Sequence, residues 1–206
     1  MIRDPKDLQR YTASERANHW VVGISFILLA LSGLAFFHPA FFPLTQLFGG
    51  PVWARIIHPF LGVLMAVAFL SMFFRFRHLN KMTPADKEWL GKVGQMVDGD
   101  DHNMPEQGKY NGGQKVMFWA LAVCMLLMTV SGILIWRAYF GFDITLVRLG
   151  AVVHAAAGAV MIALIFVHVY AAIWVKGTIR AMWYGTVTRA WAKQHHRGWY
   201  RQVTGK

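Results

Sequence analysis

Leu149–Val175 reads LGAVVHAAAGAVMIALIFVHVYAAIWV, and this stretch decides the fold. Its 27 residues carry no formal charge, which exceeds the ~20 apolar residues needed to cross a bilayer core. Two histidines, His154 and His168, interrupt it. Ionisable side chains inside a membrane are costly and point to function. The two lie 14 residues apart, or ~21 Å along a helix axis. That spacing is close to four whole turns, so both rings leave nearly the same face. One helix thus offers two imidazoles, one toward each membrane surface; the plainer alternative is two independent histidines hydrogen-bonded inside a bundle.

Outward from this stretch, three more uncharged runs match it: Trp20–Phe37, Ile56–Phe74 and Val116–Trp136. With 206 residues, 56% hydrophobic and 15% charged, the chain is too apolar for an ordinary soluble domain. The expectation is an all-α polytopic membrane protein with a single domain, 1–206. Its spans run over about 18–37, 54–75, 115–136 and 149–175, with a connection at 76–114 and a tail at 176–206. The first run is expected to stay in the protein. It is longer than the ~7–15 apolar residues of a secretory signal core, and no small-x-small cleavage site follows it. Cys124 is the only cysteine, so a disulfide framework and an iron–sulfur ligand set are excluded; it reads as a small packing residue.

The net charge of +11 raises nucleic acid as a partner, and its distribution argues against it. Eighteen Lys/Arg lie before the first run, between the second and third, or after the fourth; the other two connections hold three, Arg55, Arg137 and Arg148. This is a positive-inside bias. It predicts that both termini and the middle connection are cytoplasmic and that the other two loops face outward.

Locally, Ser14-Glu15-Arg16-Ala17 reads as the cap and first turn of the first span. His38 to Val52, with Pro39, Pro43, Gly49, Gly50 and Pro51, reads as irregular. Pro59 is expected close enough to a helix start to be tolerated. Thr83-Pro84 has the form of an N-cap with proline at the first helical position. Trp89, Leu90, Val93, Met96 and Val97 then recur at helical spacing, predicting a short amphipathic helix on the membrane surface or against a partner. Asp98–Gly108 reads as a loop. After the fourth span, Ile179, Met182, Trp183, Val187 and Trp191 mark one face of a surface helix with a basic tail. No internal repeat is evident.

In this orientation four histidines fall at two depths. His19 lies ~4.5 Å along the axis from Arg16, and His168 ~12 Å before Lys176, both toward the cytoplasm. His58 lies ~4.5 Å inside Arg55, and His154 ~9 Å inside Arg148, both toward the outside. Depth permits His19 with His168 and His58 with His154. Two cross-helix imidazole pairs suit two bis-histidine b-type haems, since neutral imidazoles fill both axial sites of an iron without adding charge. No Cys-x-x-Cys-His attachment sequence is present, so the haems would be held non-covalently. Gly33, Gly62, Gly132 and Gly158 lie at levels where small residues would admit a flat ligand, ordinary helix packing being the alternative. His38, His78, His102, His195 and His196 read as solvated or structural.

These residues also carry a family resemblance. RYTASERANHWVVGISFILLALSGLAFF (10–37), IIHPFLGV (56–63), KYNGGQKVMFW (109–119), SGILIW (131–136) and the run from LGAVVHAAAG through HVYAAIWVKGTI (149–179) resemble the membrane cytochrome b, or gamma, subunit of respiratory formate dehydrogenases. ERANHW and YNGGQK are the more specific parts. The resemblance implies a four-helix di-haem cytochrome b bundle with the pairs His58/His154 (outer) and His19/His168 (inner). It further implies a quinone site at Asn111, Gly113, Gln114 and His168. Asn111 and Gln114 could hydrogen-bond a quinone carbonyl, while YNGGQK read from physics alone is a turn and helix start.

The expected function is therefore a conduit. Electrons from a periplasmic iron–sulfur beta subunit, fed by a formate-oxidising alpha subunit, would cross two haem b groups and reduce a quinone, menaquinone or ubiquinone, near the cytoplasmic side. The nearer alternative is the cytochrome of a hydrogenase or another respiratory oxidoreductase; the remote one is a four-helix proton-relay transporter.

Overall fold

The computed structural model describes residues 6–98 and 103–205; His102, Arg3, Lys206 and part of the Asp98–Gly108 loop lie outside the described residues. Four helices are long and apolar enough to cross a membrane. They are α1 (Ala13–Phe37), α2 (Pro51–Phe76), α5 (Gly112–Ile135) and α6 (Ile144–Trp174). Between α2 and α5 lie α3 (Pro84–Gly91) and α4 (Val93–Val97). After α6 come α7 (Thr178–Tyr184), α8 (Arg189–His195) and α9 (Arg197–Thr204). Two short strands, β1 (Leu8–Gln9) and β2 (Thr186–Val187), pair antiparallel, Leu8 opposite Val187.

Local chemistry explains where the long helices begin. At α1 the cap is Thr12, two residues before the expected Ser14. Its N–H donates to Glu15 Oε2 at 2.8 Å, and Glu15 N–H donates to Thr12 Oγ1 at 3.3 Å, a reciprocal capping box. The predicted irregular segment after α1 is a 3₁₀ helix, Pro39–Phe48, with His38 Nδ1 accepting from Ala40 N–H. Pro51 then opens α2 at a position where a missing N–H costs nothing. This earlier start corrects the reading of Pro59, which lies inside α2 rather than near its first turn. It withholds a hydrogen bond from the Arg55 carbonyl, a loss that membrane helices accommodate through neighbouring donors. Asp143 Oδ1 accepts from Thr145 N–H at the start of α6.

The chain divides into two compact units. One comprises Ala17–Phe73 and Leu121–Val167. Its core is Met65, Phe69, Cys124, Met125 and Met161, with Phe26, Leu29 and Leu164 packed against it. Cys124 is a buried packing residue among methionines. Methionine fills irregular gaps well. Ile24, Ile27, Val67, Leu126 and Phe166 point outward, the arrangement a helix bundle needs when its solvent is lipid.

The other unit comprises Met1–Arg16, Phe74–Ala120 and His168–Lys206. Thr83 caps α3 as expected, its N–H and hydroxyl both donating to Asp86 Oδ2, at 2.7 and 2.6 Å. The apolar residues that follow do not form one surface helix. The chain breaks between α3 and α4, and Trp89 is buried, its ring lying where a side chain on Gly113 would go. Packing on the start of α5 satisfies it within its own unit. The tail departs from its prediction too. Gly185 (φ 81°) ends α7, and a Cβ there would sit 2.6 Å from the Tyr11 carbonyl oxygen. The chain turns there, Val187 joins β2, and Trp191 is buried in α8.

Candidate haem and quinone sites

His58 on α2 and His154 on α6 both belong to the first unit, and their ring centroids are 6.2 Å apart with planes inclined at 64°. The structure brings together this pair, which depth had matched. Each ring is anchored by a serine on another long helix. Ser32 Oγ on α1 is 2.7 Å from His58 Nδ1, and Ser131 Oγ on α5 is 3.0 Å from His154 Nδ1. Sequence reasoning passed over both serines.

The pair fits a haem iron. With a metal–imidazole bond of about 2.0 Å on either side, and a ring nitrogen about 1.1 Å from its centre, facing centroids stand ~6 Å apart. The observed separation matches. Among the described residues, no three or more His, Cys, Asp or Glu side chains converge as a metal site. A porphyrin supplies the other four iron ligands, so two axial imidazoles suffice. Small residues flank both rings: a Cβ on Gly33 would lie 3.6 Å from His58 Cε1, and one on Gly132 would lie 3.5 Å from His154 Cε1. Gly158 instead faces Met128, and Gly62 faces open space.

Placed side by side, the serine and histidine helices reveal an internal repeat that the sequence reading missed. Ser32-Gly33 precedes His58-x-x-x-Gly62, and Ser131-Gly132 precedes His154-x-x-x-Gly158. The signal is a two-residue match twice over, too short to stand out before the contacts are known.

His19 sits half-buried on α1, its ring meeting Trp20 edge-on at 5.8 Å. His168 is exposed on α6 in the second unit. Of the remaining histidines, His38 caps a helix, His78 is exposed and His196 is buried.

Asn111, Gly113 and Gln114 lie together at the start of α5. Gln114 N–H donates to Asn111 Oδ1 at 2.9 Å, and Asn111 N–H donates to Gln114 Oε1 at 3.1 Å. Each amide oxygen thus accepts a capping bond, as the helix-start reading of YNGGQK anticipated. Gly113 owes its lack of a side chain to the Trp89 ring, 3.0 Å from where a Cβ would be. Beneath this cap, Lys115 Nζ pairs with Asp86 Oδ2 at 2.6 Å, both buried, and donates to the Lys81 carbonyl. Burial alone would raise the Asp86 pKa, but hydrogen bonds from Lys115 and Thr83 outweigh it and hold the carboxyl below its usual range.

A second cluster, also missed, ties the arm, the middle connection and the tail together. Arg10 is buried, with no carboxylate partner among the described residues. Its guanidinium lies 4.9 Å from the ring centroids of both Trp191 and Trp199 and donates to the Lys109 carbonyl. His196 Nδ1 lies 2.8 Å from the Gly108 carbonyl, and its Nε2 lies 3.2 Å from Arg10 Nη2. A carbonyl only accepts and a guanidinium only donates. His196 is therefore a neutral Nδ1–H imidazole. Burial, then Arg10, lower its pKa to about 3.

Four membrane-length helices carrying a haem-spaced imidazole pair define a b-type membrane cytochrome. The chain belongs to the family described as prokaryotic cytochrome b561, whose family model matches residues 10–185. It is 47% identical over 196 residues to the formate dehydrogenase cytochrome b556(fdo) subunit of Escherichia coli K12, covering 94% of this chain and 92% of that protein. The nitrate-inducible formate dehydrogenase cytochrome b556(Fdn) subunit of the same organism is 46% identical over 191 residues, covering 92% and 88%. The formate dehydrogenase cytochrome b556 subunit of Haemophilus influenzae is 40% identical over 195 residues, covering 94% and 82%. The resemblance seen in the sequence therefore extends over nearly the whole chain. This is a multi-pass membrane protein of a haem b electron-transfer family.

Proposed function

We propose that this chain is the di-haem, quinone-reducing subunit of a respiratory formate dehydrogenase in a bacterial inner membrane. The observation that carries the reading is the His58/His154 pair, 6.2 Å apart and anchored at both Nδ1 atoms. These two histidines hold one haem b; His19 and His168, matched by depth in the sequence, hold the second. Bound haem supplies one-electron redox chemistry within the membrane. The bias of Lys and Arg supports cytoplasmic termini, which puts His58 and His154 toward the periplasm. An iron–sulfur beta subunit delivers electrons there, and a formate-oxidising alpha subunit supplies them.

Quinone is the substrate at the opposite end. Asn111 Nδ2 and Gln114 Nε2 are the donors for its carbonyl oxygen, since their own oxygens cap α5. Gly113 keeps Trp89 seated under them, and His168 completes the site while ligating the second haem. Quinone reduction with cytoplasmic protons adds to the membrane potential, at about 2.3 kcal/mol per charge per 100 mV.

The deciding experiment is the addition of formate to membranes containing the intact complex. Rapid reduction of the b haems is expected; haems that stay oxidised overturn the formate assignment, and co-purified hydrogenase subunits would redirect it. His58→Ala should lower the reduced-minus-oxidised b band by about half. Asn111→Ala should keep the full band and slow haem reoxidation by quinone. Unchanged reoxidation removes Asn111 from the site.

A further inference from the structure

Ser32 and Ser131 are almost completely buried, at 1% and 2% exposure, and nothing in the proposed reaction has yet used them. A serine hydroxyl has one proton and two lone pairs. Ser32 Oγ lies 2.8 Å from the Leu28 carbonyl oxygen and 3.2 Å from that of Leu29. Ser131 Oγ lies 2.6 Å from the Leu127 carbonyl oxygen and 3.3 Å from that of Met128. Carbonyl oxygens only accept, so a hydroxyl that gives its one proton to its own helix, at 2.8 Å for Ser32 and 2.6 Å for Ser131, has none for the ring. What remains on Oγ are lone pairs. One faces His58 Nδ1 at 2.7 Å, the other His154 Nδ1 at 3.0 Å. A lone pair there requires a proton on Nδ1. In a neutral imidazole, Nε2 must then carry the ring's own lone pair. The other tautomer would need the hydroxyl to turn its proton from the helix carbonyl to Nδ1, giving up the bond along its own helix.

We infer that Ser32 and Ser131 are positioning residues for the haem held by His58 and His154, each fixing its histidine as the Nδ1–H imidazole whose Nε2 is free for iron. The inference rests on reading those two histidines as haem ligands. A serine that merely back-bonded to its helix would need no histidine, yet both make the contact, on two different helices. The repeat Ser-Gly … His-x-x-x-Gly places each serine beside the glycine that borders the same ring. Partners of this kind orient a ligating histidine and raise its basicity, and their loss costs about 10–100-fold in metal affinity. A more basic ligand favours the ferric state, so losing the serine should raise the potential.

The test is a potentiometric titration of the intact complex, with EPR of the ferric low-spin signals and haem counted per chain. Ser32→Ala and Ser131→Ala should each shift the potential upward and change the g values of one haem, the same haem in both variants, while the other stays put. Haem affinity at that site should fall about 10-fold or more. Ser32→Thr, whose hydroxyl can still bond back along the helix, should restore the parent values. Should the alanine variants fail to assemble, the near-isosteric Ser32→Cys carries the test, with a smaller shift in the same direction. Full haem content with unmoved potential and g values overturns the inference, as does an equal shift of both haems. The ligand reading fails differently. If His58→Ala keeps both haems, ligand reading and serine role fall together; if it loses one while the serine variants are silent, only the serine role falls.

Discussion

Gly33 and Gly132 set the width beside the two imidazoles. A Cβ at either position makes ordinary contact with a ring Cε1, at 3.6 and 3.5 Å, and a longer side chain would not fit. Gly33→Ala should therefore keep the haem proposed for His58 and His154. Gly33→Leu should push the His58 ring off Ser32 at an overpacking cost of about 1–3 kcal/mol, and haem per chain should fall toward half by pyridine haemochrome assay. At this scale the nearness of His58 and His154 was legible because depth along a helix follows from residue number and rise alone. The serines were not. A serine in a membrane helix is common, and only the neighbouring helix shows which ones face a ring.

Among the elements, α5 depends most on residues brought from elsewhere. Its first turn is capped by Asn111 and Gln114, and the next residue, Lys115, is buried against Asp86 of α3. Lys115→Ala would leave a buried carboxylate to Thr83 alone, a loss of about 3–5 kcal/mol that a thermal unfolding curve of the complex would register. Replacing both partners with apolar residues should recover much of it. The Asp86 carboxyl is held below its ordinary range, so its contribution is present at neutral pH and lost as pH falls through the carboxylate range. The long helices were legible as uncharged runs. The tail was not, because Ile179 to Trp191 keeps helical spacing across a glycine whose backbone takes φ 81°. Of that face Val187 and Trp191 are buried while Ile179 and Trp183 stay exposed, and periodicity does not register the turn between them.

At the scale of the whole chain, residues from three distant stretches meet around Arg10. His196 is the pH-sensitive member; Arg10 and His195 are the charged or titratable groups that perturb it. Its pKa is about 3 in the fold against 6.5 when free, so the unfolded chain binds the extra proton first. Stability is complete above pH 6.5 and declines as the pH drops toward 3, by roughly 5 kcal/mol in all. Acidification across that window should expose the tail to protease, and His196→Gln should flatten the dependence. A tail equally protected at pH 4 and pH 7 would argue against the assignment.

The same cage has a consequence in time. Arg10 leaves the ribosome early, whereas Trp191, His196 and Trp199 follow all four long helices. Until they emerge, the guanidinium lacks the two indole faces that cover it. The cage around Arg10 closes only after translation has passed residue 199. A chain halted before that point would carry His19, His58, His154 and His168 and still leave Arg10 uncovered.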